Sequence, residues 1–114
     1  MKPMSRSDLT ANICPVARTA ARVGDAWSLM VLRDAFLGRT RFDEFRRSLG
    51  VAPNILTDRL NRLVEAGLLE RRRYSERPPR DEYRLTEMGY DFGPVMDALT
   101  VFGNRRLPRA EAAA

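Results

Sequence analysis

The side chains best equipped for chemistry in this sequence are its arginines. Of 20 positively charged residues all but Lys2 are arginines, and with 15 acidic residues they leave a formal net charge of +5. The planar guanidinium group donates two parallel hydrogen bonds, which suits phosphates and the edges of bases. A GC-rich genome would also favour arginine codons, so the overall excess says less than the positions of the clusters. Those clusters predict a nucleic acid as partner.

The sequence lacks the residues that most hydrolytic and metal-dependent sites need. It contains no histidine and one cysteine, Cys14, which excludes Ser-His-Asp triads, Cys-His dyads and histidine-containing metal sites. We therefore expect no catalytic residue, no metal and no cofactor. A lone thiol beside Pro15, near a helix start, could sense oxidants or electrophiles, whereas a single cysteine is more often a small packed apolar residue. Both interpretations of Cys14 remain open.

A helix-turn-helix motif lies in the middle of the sequence. Residues 43–49 have the pattern of a short helix, Gly50-Val51-Ala52 form a turn, and Pro53 begins a second helix that Gly67 ends. Leucines line one side of the second helix, so its polar side faces outwards, where its first residues would meet base edges in the major groove. The predicted base contacts are Asn54, Thr57 and Asp58, and Arg59 and Arg62 are predicted to reach phosphate or guanine.

A basic hairpin follows the motif. Residues 68–74 and 81–85 have the pattern of two strands, and the two prolines between them predict a turn. A stiffened tip loses less entropy when it docks on the sugar-phosphate backbone or in the minor groove, although such a hairpin could also be only a solvated surface. The predicted contacts of this wing are Arg73, Arg77 and Arg80, joined by Arg39 and Arg41 ahead of the motif's first helix, where a backbone phosphate commonly sits.

Further helices flank the motif. We predict them over residues 15–23, over 26–37 and from Thr86 to about 106, with Pro94 kinking or dividing the last one near Asp91. The last helix has an apolar stripe that would be left in water unless a second copy of the chain or its own domain covers it. The predicted dimer contacts are Val16, Phe92, Val95, Met96, Leu99 and Phe102. A flat apolar effector could bind the dimer seam near Trp27, Phe92 and Phe102, or these residues could be plain core.

The expected fold is mainly α-helical with a small β-hairpin, a winged helix-turn-helix DNA-binding domain that dimerises through its N- and C-terminal helices. We expect a flexible arm over residues 1–12, the domain over 13–106 and a flexible tail over 107–114. A homodimer would hold two recognition helices about 34 Å apart, which suits double-stranded DNA with a near-palindromic operator. No apolar run approaches the roughly 20 residues of a membrane span, and the first residues lack a signal sequence, so we expect no membrane contact and a cytoplasmic location.

The sequence resembles the HxlR-type winged-helix regulators, relatives of the MarR group, over about residues 13–105. The order and spacing of several short matches carry the resemblance: Cys14-Pro15, Gly24-Asp25-Ala26-Trp27, Arg41-Phe42-Asp43-Glu44-Phe45, Gly50-Val51, Asn54-Ile55-Leu56, Arg59-Leu60, Leu63 through Gly67-Leu68-Leu69, Arg71, Tyr74, Pro78 or Pro79, Arg80, Glu82-Tyr83, Leu85-Thr86 and Gly89. The resemblance implies dimeric bacterial repressors or activators whose terminal helices form the interface. In some members a cysteine at the place of Cys14 senses quinones, aldehydes or disulfide stress.

This sequence departs from the family pattern at two places. Ala52 stands where the family usually has a serine, which removes a helix cap worth about 1 kcal/mol. Phe102-Gly103-Asn104 stands where many relatives have a tryptophan, which implies a differently packed dimer seam.

We therefore predict a sequence-specific DNA-binding transcription regulator, most simply a repressor, that acts as a homodimer and responds to a small-molecule or redox signal. The main alternative is a winged helix used as a protein-interaction module without DNA contact. Such modules usually lack a basic wing, so the arginines of the hairpin favour DNA. An enzyme is the third alternative, and the sequence offers no histidine and no nucleophile–base pair for it.

Overall fold

The computed structural model describes residues 4–110 and is mainly helical, with one two-stranded antiparallel sheet. In chain order its elements are α1 (Arg6–Thr10), α2 (Pro15–Val23), α3 (Ala26–Phe36), α4 (Phe42–Leu49), α5 (Pro53–Glu65), β1 (Leu69–Glu76), β2 (Pro79–Leu85), α6 (Glu87–Tyr90) and α7 (Gly93–Arg106). This is the winged helix-turn-helix that the sequence predicts. Within the described range, none of the helices combines the length and the apolar character needed to cross a bilayer.

Local signals in the sequence set most of the helix boundaries. Pro15 and Pro53 occupy the first turns of α2 and α5, where a missing N–H leaves no hydrogen bond unmade. Asp25 caps α3, and its carboxylate accepts from the Ser28 N–H at 2.9 Å. Gly50 ends α4 in the left-handed conformation, at φ 64°. The predicted bounds of these helices are confirmed to within a residue or two.

The last predicted helix is divided, as Pro94 indicated. Thr86 caps the short α6, its hydroxyl accepting from the Gly89 N–H at 3.0 Å. The chain then turns through Asp91 and Phe92, and Pro94 lies in the first turn of α7. The division therefore falls where the proline would otherwise have broken the helical ladder.

The hairpin is longer than predicted and its turn is shorter. The strands reach Glu76 and Pro79, which leaves only Arg77 and Pro78 in the turn. Its base is anchored to the chain ahead of α4, because the Tyr83 N–H donates to the Thr40 carbonyl at 2.6 Å and an isolated bridge joins Arg41 to Glu82. The wing is thereby fixed to the helix-turn-helix.

The expectation of an unstructured arm over residues 1–12 is wrong for residues 6–10, which form α1. A capping box starts this helix: the Asp8 N–H donates to the Ser5 hydroxyl at 3.2 Å, and the Ser5 N–H donates to the Asp8 carboxylate at 2.9 Å. Arg6 then donates through Nε to the Ala21 carbonyl at 2.9 Å, which holds α1 against α2. Residues 1–3 and 111–114 lie outside the described residues, and residues 107–110 follow α7 without regular structure.

The core lies between the motif and the base of the hairpin. Five elements give it fully or nearly fully buried side chains: Val31 and Leu32 from α3, Phe45 from α4, Leu56, Leu60 and Leu63 from α5, Leu69 from β1 and Tyr83 from β2. Because the three leucines of α5 point inwards, the opposite side of that helix is turned away from the core.

Candidate nucleic-acid interface

The outer side of α5 begins with two polar side chains. Asn54 and Thr57 are both exposed, and among the described residues neither side chain makes a hydrogen bond. Both stand in the first turns of the helix, one or two residues from the inward-facing Leu56. An amide and a hydroxyl at this place can bond base edges, with asparagine matching adenine in a bidentate manner.

Asp58, Arg59 and Arg62, which the sequence assigns to DNA contact, are bonded within the protein. Arg59 lies 2.9 Å from Asp25 through Nε and 2.6 Å from Asp58 through Nη1. Arg62 Nε lies 2.9 Å from the same Asp58 oxygen. The Arg59 side chain is largely buried, so it joins α5 to the first turn of α3 instead of pointing freely outwards.

The Asp25–Arg59 pair changes the acidity of both groups. The hydrogen bond to Asp25 raises the pKa of Arg59 above its ordinary value. Burial acts to raise the pKa of Asp25, but the hydrogen bonds from Ser28 and Arg59 outweigh it and hold that pKa below its ordinary value. Both groups are therefore charged over the physiological range.

The hairpin tip presents two arginines to solvent. Arg77 and Arg80 are exposed, and within residues 4–110 no carboxylate oxygen lies within 4.0 Å of either guanidinium. The third predicted wing contact, Arg73, lies 3.3 Å from Asp81 and 3.8 Å from Glu76, so its charge is partly matched inside the hairpin.

The two arginines ahead of α4 differ in their surroundings. Arg39 lies 3.7 Å from Asp34, a fully buried carboxylate that also accepts from Arg33 at 2.8 Å. Arg41 has no acidic partner among the described residues, and its guanidinium carbon sits 4.4 Å from the centre of the Tyr74 ring. A cation held over an aromatic face in this way keeps its charge available to an anion.

Glu44 fixes the backbone beneath Arg41. Its carboxylate accepts from the N–H groups of Arg41 at 2.9 Å and Thr40 at 3.2 Å. These hydrogen bonds, that of Arg41 first, lower the pKa of Glu44 below its ordinary value.

Two residues near this loop received no functional role from the sequence: Tyr74, which is one of the matches to the family pattern, and Arg47. Both line a cleft between the hairpin and α4, together with Arg41 and Arg80. The available signal for Tyr74 was a single aromatic side chain directly after three arginines in a strand. Arg47 gave no signal beyond its charge.

Cys14 is exposed at the residue before α2. Its N–H donates to the Asn12 side chain at 2.9 Å. The nearby Arg18 donates through Nη1 to the carbonyls of Asn12 and Ile13, each at 2.8 Å. The thiol is thus open to reagents from solvent rather than packed as an apolar side chain.

The predicted dimer contacts fall into two groups. Phe92 is 7% exposed and belongs to the core of its own domain, which leaves little of its side chain for a partner, and its assignment to an interface stays a prediction. Met96 is half-buried against that core. The remaining predicted contacts are exposed: Val16, Val95, Leu99 and Phe102, with the neighbouring Ile13 almost wholly uncovered at 94%.

The three aromatic residues predicted to lie near an effector at the dimer seam differ in their exposure within one chain. Phe92 is in the core while Phe102, ten residues along the chain and hence roughly 15 Å away, is 58% exposed. Trp27, on α3, is 36% exposed. A mostly apolar cleft of about 250 Å³ lies between α2 and the α6–α7 turn, with Val23, Met88, Phe92 and Val95 in its walls. Among the described residues, no group of three or more acidic or thiol side chains is gathered as a metal site requires.

Residues 22–111 match the sequence model of a family described as HxlR-like helix-turn-helix. A protein of Mycobacterium tuberculosis named as an HTH-type transcriptional regulator is 45% identical over 96 residues, which cover 84% of this chain and 61% of that protein. A Synechocystis protein of the same description is 36% identical over 83% of this chain and 71% of its own length. The chain thus spans less than two thirds of its mycobacterial relative.

Solved structures of two transcription regulators have a fold similar to that of this chain. The crystal structure of PA1607, described as a candidate transcription factor, superposes with a TM-score of 0.84 at 40% identity, over 95% of this chain and 75% of that chain. The reduced form of the redox regulator HypR superposes with a TM-score of 0.75 at 32% identity, over 80% of this chain and 91% of that chain.

Proposed function

The chain belongs to the HxlR-like helix-turn-helix family, and from that premise we propose that it is a sequence-specific regulator of transcription that binds duplex DNA as a homodimer. Its relatives are named as transcription regulators, not as enzymes. The simplest mode of action is repression, in which the bound dimer excludes the polymerase from a promoter.

The observation that carries the proposal is the joint placement of α5 and the hairpin tip. The leucines of α5 face the core, so Asn54 and Thr57 face solvent at the start of the helix. The hairpin packs against α5 through β1, and its tip carries Arg77 and Arg80 without acidic partners among residues 4–110. A base-reading helix and a phosphate-binding wing on one rigid body are what duplex binding requires.

The contacts within the protein divide the proposed roles. Asn54 and Thr57 read bases, and Arg41, Arg77 and Arg80 hold phosphates. Four residues that are already paired act mainly by fixing the recognition helix and the wing, namely Asp58, Arg59, Arg62 and Arg73. Arg39 is paired with Asp34 and joins the loop before α4 to α3.

We extend the proposal to the dimer through the terminal helices. Val16 on α2 and Val95, Leu99 and Phe102 on α7 leave apolar surface in water that a second copy would cover. Two-fold symmetry would then pair two α5 helices with the halves of a near-palindromic operator.

Cys14 is the proposed place where an oxidant or electrophile acts. Its thiol is exposed, and one of the similar structures is named a redox regulator. Because the chain has a single cysteine, oxidation can join it only to a thiol of another molecule, with two electrons and two protons passing to the oxidant. In a dimer the nearest such thiol is the other Cys14, and that bond would tie the two copies of α2 together.

A footprint on the DNA upstream of the chain's own coding region tests the proposal. We expect protection of a near-palindromic site by the wild type, and loss of protection after treatment with a quinone or diamide. The Cys14→Ser variant should keep its protection under the same treatment. Protection that persists in treated wild type, or disappears equally in Cys14→Ser, would refute thiol sensing without touching DNA binding.

A further inference from the structure

A cleft of about 420 Å³ lies between the wing and the first helix of the motif. Three arginines from three different elements line it: Arg41 from the loop before α4, Arg47 from α4 and Arg80 from β2. Tyr74 from β1 lines it as well. Two of these cations belong to α4 and its cap and the third to the wing, and their convergence points to an anion as the occupant.

Two of the three acidic groups that line the cleft, Glu44 and Asp81, make their close contacts outside the arginine trio. Glu44 accepts from two backbone N–H groups beneath Arg41, at 2.9 and 3.2 Å. Asp81 lies 3.3 Å from Arg73, outside the trio. Asp43 is the third carboxylate of the lining, and Arg47 donates to its backbone carbonyl at 3.4 Å, not to its side chain.

The three arginines form no close ion pair inside the protein. Within residues 4–110, no carboxylate oxygen lies within 4.0 Å of Arg41, Arg47 or Arg80. Guanidinium groups without an acidic partner within 4.0 Å, gathered around one opening, are suited to binding a phosphate.

Tyr74 holds one of these arginines in place. The strand ladder pairs Arg73 with Asp81 and Ser75 with Arg80, so Tyr74 is an extra residue at a bulge. A bulge re-aims the side chain it carries. Here the ring lies against the guanidinium of Arg41, 4.4 Å from its carbon to the ring centre. The contact joins the wing to the loop before α4 and restricts the rotamers that Arg41 can adopt.

We infer that this cleft takes one backbone phosphate of the bound duplex and that Tyr74 is the residue that positions Arg41 for it. The inference rests on the proposed function. Both walls of the cleft belong to elements that are proposed to touch DNA, and this favours a DNA phosphate over a free anion as the occupant. Tyr74 needs no contact with DNA for this role. Its effect must pass through Arg41.

A double-mutant cycle on Tyr74 and Arg41 tests the inference. The probe is a fluorescent mixed-sequence duplex of about 30 base pairs, long enough for two half-sites, and binding is followed by anisotropy at low ionic strength. We expect Tyr74→Ala to weaken binding about two- to five-fold per half-site, the range of an exposed cation–π contact. Tyr74→Phe, which keeps the ring, should bind like wild type.

The double variant separates positioning from a structural role. In the Arg41→Ala background, Tyr74→Ala should cause no further loss, whereas a general weakening of the wing would add its effect to that of Arg41→Ala. Arg105→Ala, at the end of α7, controls for the loss of one positive charge. Thermal melting of each variant shows whether the fold is kept.

The outcomes distinguish this inference from the proposed function. Wild-type protein that binds no duplex overturns both. If wild type binds the duplex and Tyr74→Ala binds it with the same affinity, only the role of Tyr74 is overturned. The same holds if the affinity losses of Tyr74→Ala and Arg41→Ala add up in the double variant.

Discussion

At the scale of single residues, the ion pairs separate arginines that hold the fold from arginines that meet a ligand. Arg59 is largely buried and spans from α5 to the cap of α3, with partners at 2.9 and 2.6 Å. Arg77 is exposed at the tip, with no acidic partner in the described part of the chain. The same residue type therefore has opposite expected effects on stability and on binding.

Replacing Arg59 with alanine should lower the free energy of unfolding by about 1–3 kcal/mol, because a hydrogen-bonded charge is removed from a partly buried pair. Arg77→Ala should leave that free energy unchanged and weaken duplex binding. Urea unfolding of both variants measures the difference. Equal stability of Arg59→Ala and wild type would mean that the pair with Asp25 contributes nothing to the fold.

The Asp25–Arg59 pair also predicts how stability responds to acid. The pKa of Asp25 is lower in the folded state than the ordinary value of about 3.9. Its contribution is therefore present above about pH 4 and is lost as the pH falls through the lower folded pKa. In Arg59→Ala the pKa of Asp25 returns towards its ordinary value, so the loss of stability between about pH 5 and 3 should be shallower than in wild type. Urea midpoints across that range test this, and parallel curves would contradict it.

At the scale of elements, α6 is held closely against the start of β1. The Thr86 N–H donates to the Leu68 carbonyl at 3.1 Å, and a methyl group on Gly89 would overlap that same carbonyl oxygen and touch the Leu85 side chain. Gly103, inside α7, has no such neighbour within 4 Å. The two glycines thus give a matched pair of positions.

Gly89→Ala should destabilise the protein by about 1–3 kcal/mol, because α6 must move off the strand to admit the methyl group. Gly103→Ala should instead stabilise α7 by up to about 1 kcal/mol, since alanine is the better helix former. Thermal unfolding of the two variants at one protein concentration gives both numbers. A neutral Gly89→Ala would show that α6 does not pack on β1 as closely as the structure has it.

The elements also show what a sequence can and cannot predict. Pro15, Asp25, Pro53 and Pro94 act on their immediate neighbours, so helix starts and the break before α7 were predictable. The capping box that starts α1 was visible as Ser5 followed three residues later by Asp8. The neighbouring residues are mostly polar, however, and this composition led to the prediction of an arm without a helix.

Contacts between distant segments were not predictable. Arg59 meets Asp25 across 34 positions, and a helical projection shows only that Arg59 flanks the outer face. Phe92 matches the helical spacing of the apolar stripe on α7, but it lies in the turn before Pro94, where its side chain enters the core. The bulge at Tyr74 depends on how both strands pair, which neither strand shows alone.

At the scale of the whole molecule, the exposed apolar residues lie mainly on the terminal segments. Ile13 and Val16 precede or begin α2, and Leu99 and Phe102 lie on α7. A dimer through these helices would bury them and place both recognition helices on one side. One chain contains every residue proposed to contact DNA. Two chains are needed to contact two half-sites at a fixed spacing.

Leu99→Glu should convert the dimer to a monomer, because a charge at the centre of an apolar seam cannot be solvated there. Sedimentation equilibrium should give the chain mass of 13.0 kDa for this variant and twice that mass for wild type. Leu37→Glu, an equally apolar exposed position at the end of α3, should remain dimeric. Wild type that sediments at the single-chain mass would rule out the proposed assembly.

The most direct test of the account is the salt dependence of duplex binding by wild type and by the Arg77→Ala/Arg80→Ala variant. Wild type should bind a duplex tightly at low ionic strength, with log K falling linearly against log salt. The variant should bind more weakly, with a slope reduced by about one for each DNA phosphate that its missing arginines no longer neutralise. Wild type that ignores duplex DNA at low ionic strength, or a variant with an unchanged slope, would contradict the account.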